Sequence, residues 1–228
     1  MHRYLLAFYK KGYMRFISHL DLQRLFRRSM KRARIEPAYT GGFNPHERLY
    51  IAQPLSLGFE SEKDYFEIYS ERLYEPSTLS EMFNSALPEG IKITFCREIL
   101  LEGRKISARM DWSEYRAIFL ADKRPDIEAF LAQERICILR RDKRRKKMVE
   151  REVKALIRSL ECVLYSDGVS MLNMVLRSAA NETLNPASLL ESLCEFSGLE
   201  VSREDMRITR LDSFVEEEGE LLPLSEAR

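Results

Sequence analysis

Cysteine is scarce in this 228-residue chain and never clustered, since Cys96, Cys137, Cys162 and Cys194 stand far apart. No CxxC or three-cysteine cradle exists to hold zinc or an iron–sulfur cluster, so each thiol reads as a small buried apolar residue. Histidine is scarcer, with three in the chain and no HxxxH or similar compact ligand set, so no metal site is expected. A Walker loop and a GxGxxG fingerprint are both missing, which removes nucleotide binding through either. No apolar run approaches the roughly 18 residues of a membrane span. The opening MHRYLLAFYKKGY lacks the apolar core and small-residue cleavage site of a signal peptide. The expectation is a cytoplasmic protein with no cofactor and no membrane contact.

What the chain does have is a heavily ionised globular composition, 45% hydrophobic and 32% charged, which excludes disorder and leaves room for two small domains. Its net charge of +1 conceals segregation. Arg24, Arg27, Arg28, Lys31, Arg32 and Arg34 cluster early, and Arg140, Arg141, Lys143, Arg144, Arg145, Lys146 and Lys147 cluster later. Several cations on one face suffice for a salt-sensitive grip on phosphates, and Tyr and Phe nearby supply stacking surfaces. Both runs are therefore candidate nucleic-acid contacts. Glu216, Glu217, Glu218 and Glu220 load residues 215–228, which read as an acidic, disordered tail.

The pattern of elements predicts an α+β fold. RYLLAFYKKGYMRFIS reads as a strand or short hairpin. A helix follows from Ser18 or Asp21, with Leu22, Leu25, Phe26, Ser29, Met30 and Ala33 on one face. RLYIAQPL and KDYFEIYSE read as strands, EPSTLSEMFNSALPEG as a helix and GIKITFCREI as a strand. Strand, helix, strand, strand, helix, strand is the split βαβ order of a ferredoxin-like sandwich, assigned to residues 1–100. After a linker at 101–113 the order recurs over 114–214, with an extra hairpin turning at Asp167-Gly168. The prediction is tandem ferredoxin-like units, the second irregular.

Three stretches carry candidate chemistry. In ISHLD, His19 and Asp21 at a helix start suit an acid–base residue with its orienting carboxylate, while Asp21 equally suits a helix cap. In GGFNPHER, the glycines open backbone angles closed to other residues, Pro45 fixes the chain before His46, and Arg48 offers a planar fork for carboxylate or phosphate. An ordinary turn at Asn44-Pro45 would serve equally. Should the first two stretches share an edge of the sandwich, His19 and His46 would form a catalytic acid–base pair at a phosphodiester. In LSLGFESEKDYFE, Gly58, Glu60 and Asp64 supply a turn and carboxylates.

Phe16 to Asp21, Gly42 to Arg48 and Leu55 to Ser61 together match three long motifs, F-x-S-H-x-D, G-F-N-P-H-x-R and L-x-L-G-x-E-S. On these the chain resembles the bacterial radical-SAM-linked proteins, strongly over residues 3 to 100 and as general layout to about 214. The resemblance implies an accessory role beside a radical SAM protein in RNA or ribosome metabolism, with Ser18, His19, Asp21, Gly42, Phe43, Asn44, His46 and Arg48 lining a substrate site. It implies a partner rather than a radical SAM activity in this chain. Two rivals are a metal-independent endoribonuclease, similar to the CRISPR repeat-processing enzymes, and a protein-interaction module that touches no RNA.

Overall fold

The computed structural model describes residues 1–141 and 147–227. In chain order its elements are β1 (His2–Lys10), α1 (His19–Arg32), β2 (Leu49–Ile51), β3 (Glu60–Ser70), α2 (Pro76–Ala86), β4 (Ile91–Ile99) and β5 (Trp112–Leu120). There follow α3 (Ile127–Ala132), β6 (Cys137–Arg141), β7 (Met148–Glu152), β8 (Ile157–Ser166), β9 (Val169–Arg177), α4 (Pro186–Ser197), β10 (Arg207–Glu217) and β11 (Glu220–Pro223). The fold is mixed α+β with mostly antiparallel strands and few helices. It divides into two compact units, one of Met1–Asp111 with the chain from Arg210 onward, the other Trp112–Thr209.

In the first unit β1 lies between β4 and β3, antiparallel to both, and β2 is antiparallel to β3. β1 and β2 therefore run the same way. YLLAFY is an unbroken apolar run because both faces of β1 are covered. Tyr4, Leu6 and Phe8 pack against Leu22, Phe26 and Met30 of α1 and Leu79 and Phe83 of α2. These helix residues recur at intervals of four, which puts each set on one stripe. Phe26 stacks on Phe66 with ring centres 4.3 Å apart, and Phe8 meets Phe26 edge-on at 4.9 Å. Leu5 and Ala7, on the other face, pack with Tyr65, Ile106, Met110, Val215 and Leu224.

That second face also buries charge. Arg3 donates from Nε and Nη2 to Oε2 of Glu67, and from Nη1 and Nη2 to the carbonyls of Leu100 and Arg104. Arg210 donates to Asp64 at 2.9 Å and to the carbonyls of Gln53 and Pro54. In each pair the guanidinium spreads its charge over carboxylate and backbone oxygens, which is what makes burial of both ions tolerable.

Five readings of the sequence change here. The first segment is a strand followed by a 3-10 turn, Gly12–Phe16, with no hairpin. β2 is a three-residue strand, shorter than RLYIAQPL. Residues 101–111 are not a free linker, since Ile106 and Met110 are buried in the first unit's core. The Asp167-Gly168 turn joins β8 to β9, and β9 pairs β5 on its other side, so the hairpin apart from this sheet is β6–β7. The acidic tail is folded: β10 continues to Glu217, β11 pairs back onto it, and Leu224 and Ala227 are buried. Its glutamates are the exposed turn of a hairpin whose flanking apolar residues point inward.

The second unit rests on β9, whose residues alternate in burial, with Leu172, Met174 and Leu176 inside. α4 begins with Pro186 after an Asn185 cap and ends on left-handed Gly198, and it buries Leu189, Leu190 and Leu193.

Candidate nucleic-acid interface

α1 starts on a serine cap. The Ser18 hydroxyl oxygen accepts from the Asp21 N–H, while its O–H donates to the Asp21 carboxylate at 2.6 Å. Arg24 donates to the other Asp21 oxygen at 2.8 Å. The cap is thus Ser18, and Asp21 is occupied by the cap hydroxyl and an arginine rather than by His19. Those two hydrogen bonds hold its carboxyl below the usual carboxylate range. Replacing Ser18 with Ala is expected to cost about 1 kcal/mol of stability in chemical denaturation.

His19 is half-buried on the first turn, with Nε2 3.0 Å from the Gln23 amide nitrogen. The Gln23 N–H donates to Nε2, which leaves the ring proton on Nδ1. Burial lowers its pKa from 6.5. The unfolded chain therefore takes up this proton first as pH falls, so stability is expected to drop on acidification below about pH 6.5. Thermal midpoints measured across pH should show that slope in the wild type and a reduced slope in His19→Gln.

The GGFNPHER loop is a small hairpin closed by backbone. Tyr39 bridges Glu47, the Thr40 N–H donates to the His46 carbonyl, and the His46 N–H donates to the Thr40 hydroxyl. Gly42 has φ of +101°, the left-handed conformation the tip requires. Residues 41–46 are all exposed, and the Phe43 ring is fully so. An aromatic ring held in water at the tip of a closed loop contributes nothing to the core and is available for stacking.

The register separates the two histidine stretches. His2 pairs with Ser70 at one end of β1, and Lys10 with Ser61 at the other, a span of roughly 26 Å at about 3.3 Å per residue. The Gly58 N–H donates to the Arg15 carbonyl and the Gly12 N–H to Glu60, so the turn leading to His19 and the LSLGFES segment meet at the Lys10 end. Arg48 lies over the Tyr69 ring at 3.8 Å and contacts Met1 Sδ at 3.0 Å, which places the GGFNPHER loop at the His2 end. A shared acid–base site for His19 and His46 is therefore not formed; β1 and β2 run parallel, so the entry to α1 and the entry to β2 fall on opposite edges.

What joins the loop is the later part of α1. Arg27 Nε stands 3.7 Å from Glu47, the residue after His46. Arg28 and Lys31 are exposed on the same helix, and Arg24 is committed to Asp21. Two further contacts escaped the sequence reading: Lys105 lies over the Tyr50 ring at 3.8 Å, and Tyr50 meets Tyr69 edge-on at 6.1 Å. Their only signal was aromatic alternation in β3. The candidate interface is thus an exposed Phe loop bordered by Arg48 and Lys105 on tyrosine rings and by a basic helix.

In the second unit Arg140 and Arg141 end β6, Arg140 is exposed, and Lys147 is exposed just before β7. Lys143, Arg144, Arg145 and Lys146 lie outside the described residues. Among the described residues no cluster of His, Cys, Asp and Glu is arranged to hold a metal ion, and no helix is long and apolar enough to cross a membrane.

These features define an α+β protein that carries a closed aromatic loop beside a basic helix. The chain belongs to the family described as "Uncharacterized protein conserved in bacteria (DUF2344)", whose model matches residues 3–186. No curated protein matches it. Among solved structures, a chain of a "Cbf5-Nop10-Gar1 Complex" is similar with a TM-score of 0.49 at 10% identity, over 92% of this chain and 48% of that one. This chain thus spans about half the length of that structure's chain.

Proposed function

We propose that the protein binds single-stranded RNA through the GGFNPHER loop and the basic face of α1, and presents it to a radical SAM partner. The observation that carries this reading is the fully exposed Phe43 on a loop tied to a basic helix by Arg27 and Glu47. Single strands are held by aromatic stacking together with a cationic track for phosphates, and both elements are present. Tandem ferredoxin-like units are the architecture we assign to it, supported in the first unit by the β4-β1-β3 order with β2 on β3. The radical SAM partner enters through the motif resemblance.

Titration of a short fluorescent single-stranded RNA should give binding that weakens as salt rises. Phe43→Ala should lose about 1–3 kcal/mol of it, the usual value of one stacked base. Salt-independent binding, or none, would remove the proposal.

A different observation supports a docking role at the other end of β1. Tyr13, Phe16, Leu20 and Leu57 are exposed on the 3-10 turn, the first turn of α1 and the β2–β3 loop. There the partner would be gripped by apolar contact, so its capture should survive nuclease and high salt.

A further inference from the structure

The first unit's sheet carries an arginine-rich recess on the face opposite α1 and α2. Leu5 sits directly across from Arg97, and Arg3 across from Ile99, so Arg3 and Arg97 project on one side of the β1–β4 pair. The loop of residues 100–109 closes over them, and the cavity so formed has a volume of about 250 Å³ with Arg3, Arg97, Arg104, Arg109 and Ala227 among its walls.

The charges in this recess are unequally answered. Arg3 is neutralised by Glu67 and two carbonyls. Among the described residues Arg97 is paired with no carboxylate; its Nη2 donates to the Ala227 carbonyl, and its Nε–H is buried with no acceptor. Arg109 is ion-paired to Glu217 at 3.8 Å, beyond hydrogen-bond distance, so its N–H groups stay open on that side, and its side chain is 22% exposed. Burial and the nearby Arg109 charge lower the Arg97 pKa from its ordinary value, as two guanidiniums sharing one small space should. Glu102 also stands in the wall and Glu217 is ion-paired to Arg109, but among the described residues no carboxylate bridges the two guanidiniums; a buried donor without an acceptor beside a second cation is the makings of an oxyanion site.

We propose that this recess binds a small tetrahedral oxyanion, either free phosphate or the phosphate of a phosphomonoester, held by Arg97 and Arg109. Arg97 supplies the fork from the floor of the sheet, and Arg109 closes it from the loop. The volume admits one phosphate and a short substituent but excludes a nucleotide chain. The site is independent of the RNA-binding reading, because Arg28, Lys31 and Phe43 take no part in its walls.

The test is calorimetric titration of the whole protein with inorganic phosphate and, separately, with methyl phosphate, against sodium chloride of equal ionic strength. Saturable heat is expected from at least one, and the tighter of the two identifies free anion or ester as the source. Arg109→Gln should weaken that binding about tenfold or more, the ordinary cost of one charge-assisted hydrogen bond. Arg97→Lys, which keeps charge but loses the fork, should weaken it similarly, and a thermal melt beside each titration confirms the fold. Arg28→Gln should leave phosphate binding unchanged. Absence of saturable heat from either anion overturns the proposal, as does binding that Arg109→Gln leaves intact. If Arg97→Lys unfolds the chain, Arg109→Gln alone decides.

Discussion

Reversing charge at Arg28 and Lys31 together should cut RNA affinity about 10- to 100-fold at moderate salt and flatten the dependence of log K on log salt by roughly 1.4. Each phosphate neutralised on a single strand contributes about 0.7 to that slope through counterion release. These two residues suit the test because both are exposed on α1 and neither is tied up as Arg24 is by Asp21 or Arg27 is by Glu47. The buried stripe of Leu22, Phe26 and Met30 lies on the other side of the helix and should be undisturbed. Anisotropy titrations at three salt concentrations read both quantities. A variant with lower affinity but an unchanged slope would mean that the helix acts through shape and that its cations do not meet phosphates.

The second large effect lies in stability. Arg3→Met should destabilise the protein by about 3–5 kcal/mol, because it leaves Glu67 buried as an unpaired ion. Glu67 is completely buried, and among the described residues its Oε1 is already without a partner and only the Ile106 N–H would remain on Oε2. For a chain of this size that corresponds to a fall of roughly 6–20 °C in the thermal midpoint. Adding Glu67→Leu should recover much of the loss, since an apolar pair of similar volume removes both desolvation costs. Failure of the second change to rescue the first would mean that Arg3 matters for its grip on the Leu100 and Arg104 carbonyls rather than for its charge.

Much of the fold could be read from residue patterns, and the misses have particular causes. The α1 stripe, the Pro76 and Pro186 starts and the Asp167-Gly168 turn each follow from local stereochemistry, which a linear sequence carries in full. The second hairpin of the same kind, Glu218-Gly219, has the same pair of positive φ values, yet four glutamates made it resemble solvated tail. Glu is an uncommon occupant of the left-handed region, so composition hid the geometry. The cap was read as Ser18 or Asp21, and only the direction of two hydrogen bonds separates the roles. The histidines failed for a different reason: edge position depends on which strands run parallel, and that is fixed by long-range pairing. The buried pairs Arg3–Glu67 and Arg210–Asp64 have no local signature, because their members stand 64 and 146 positions apart.

Those separations bear on how the protein is made. The first unit is discontinuous, with β10 and β11 returning to it after the whole second unit has been synthesised. During translation Asp64 must wait for Arg210, and Tyr65 for Asp212, whose hydrogen bond at 2.6 Å closes the same face. A nascent chain halted before residue 210 would hold a complete second unit and an open first one, with apolar surface and a buried carboxylate uncovered. High contact order of this kind slows folding and prolongs exposure to aggregation. The GGFNPHER hairpin, by contrast, closes on its own residues, Tyr39 to Glu47, and so would be assembled long before the sheet behind it is sealed.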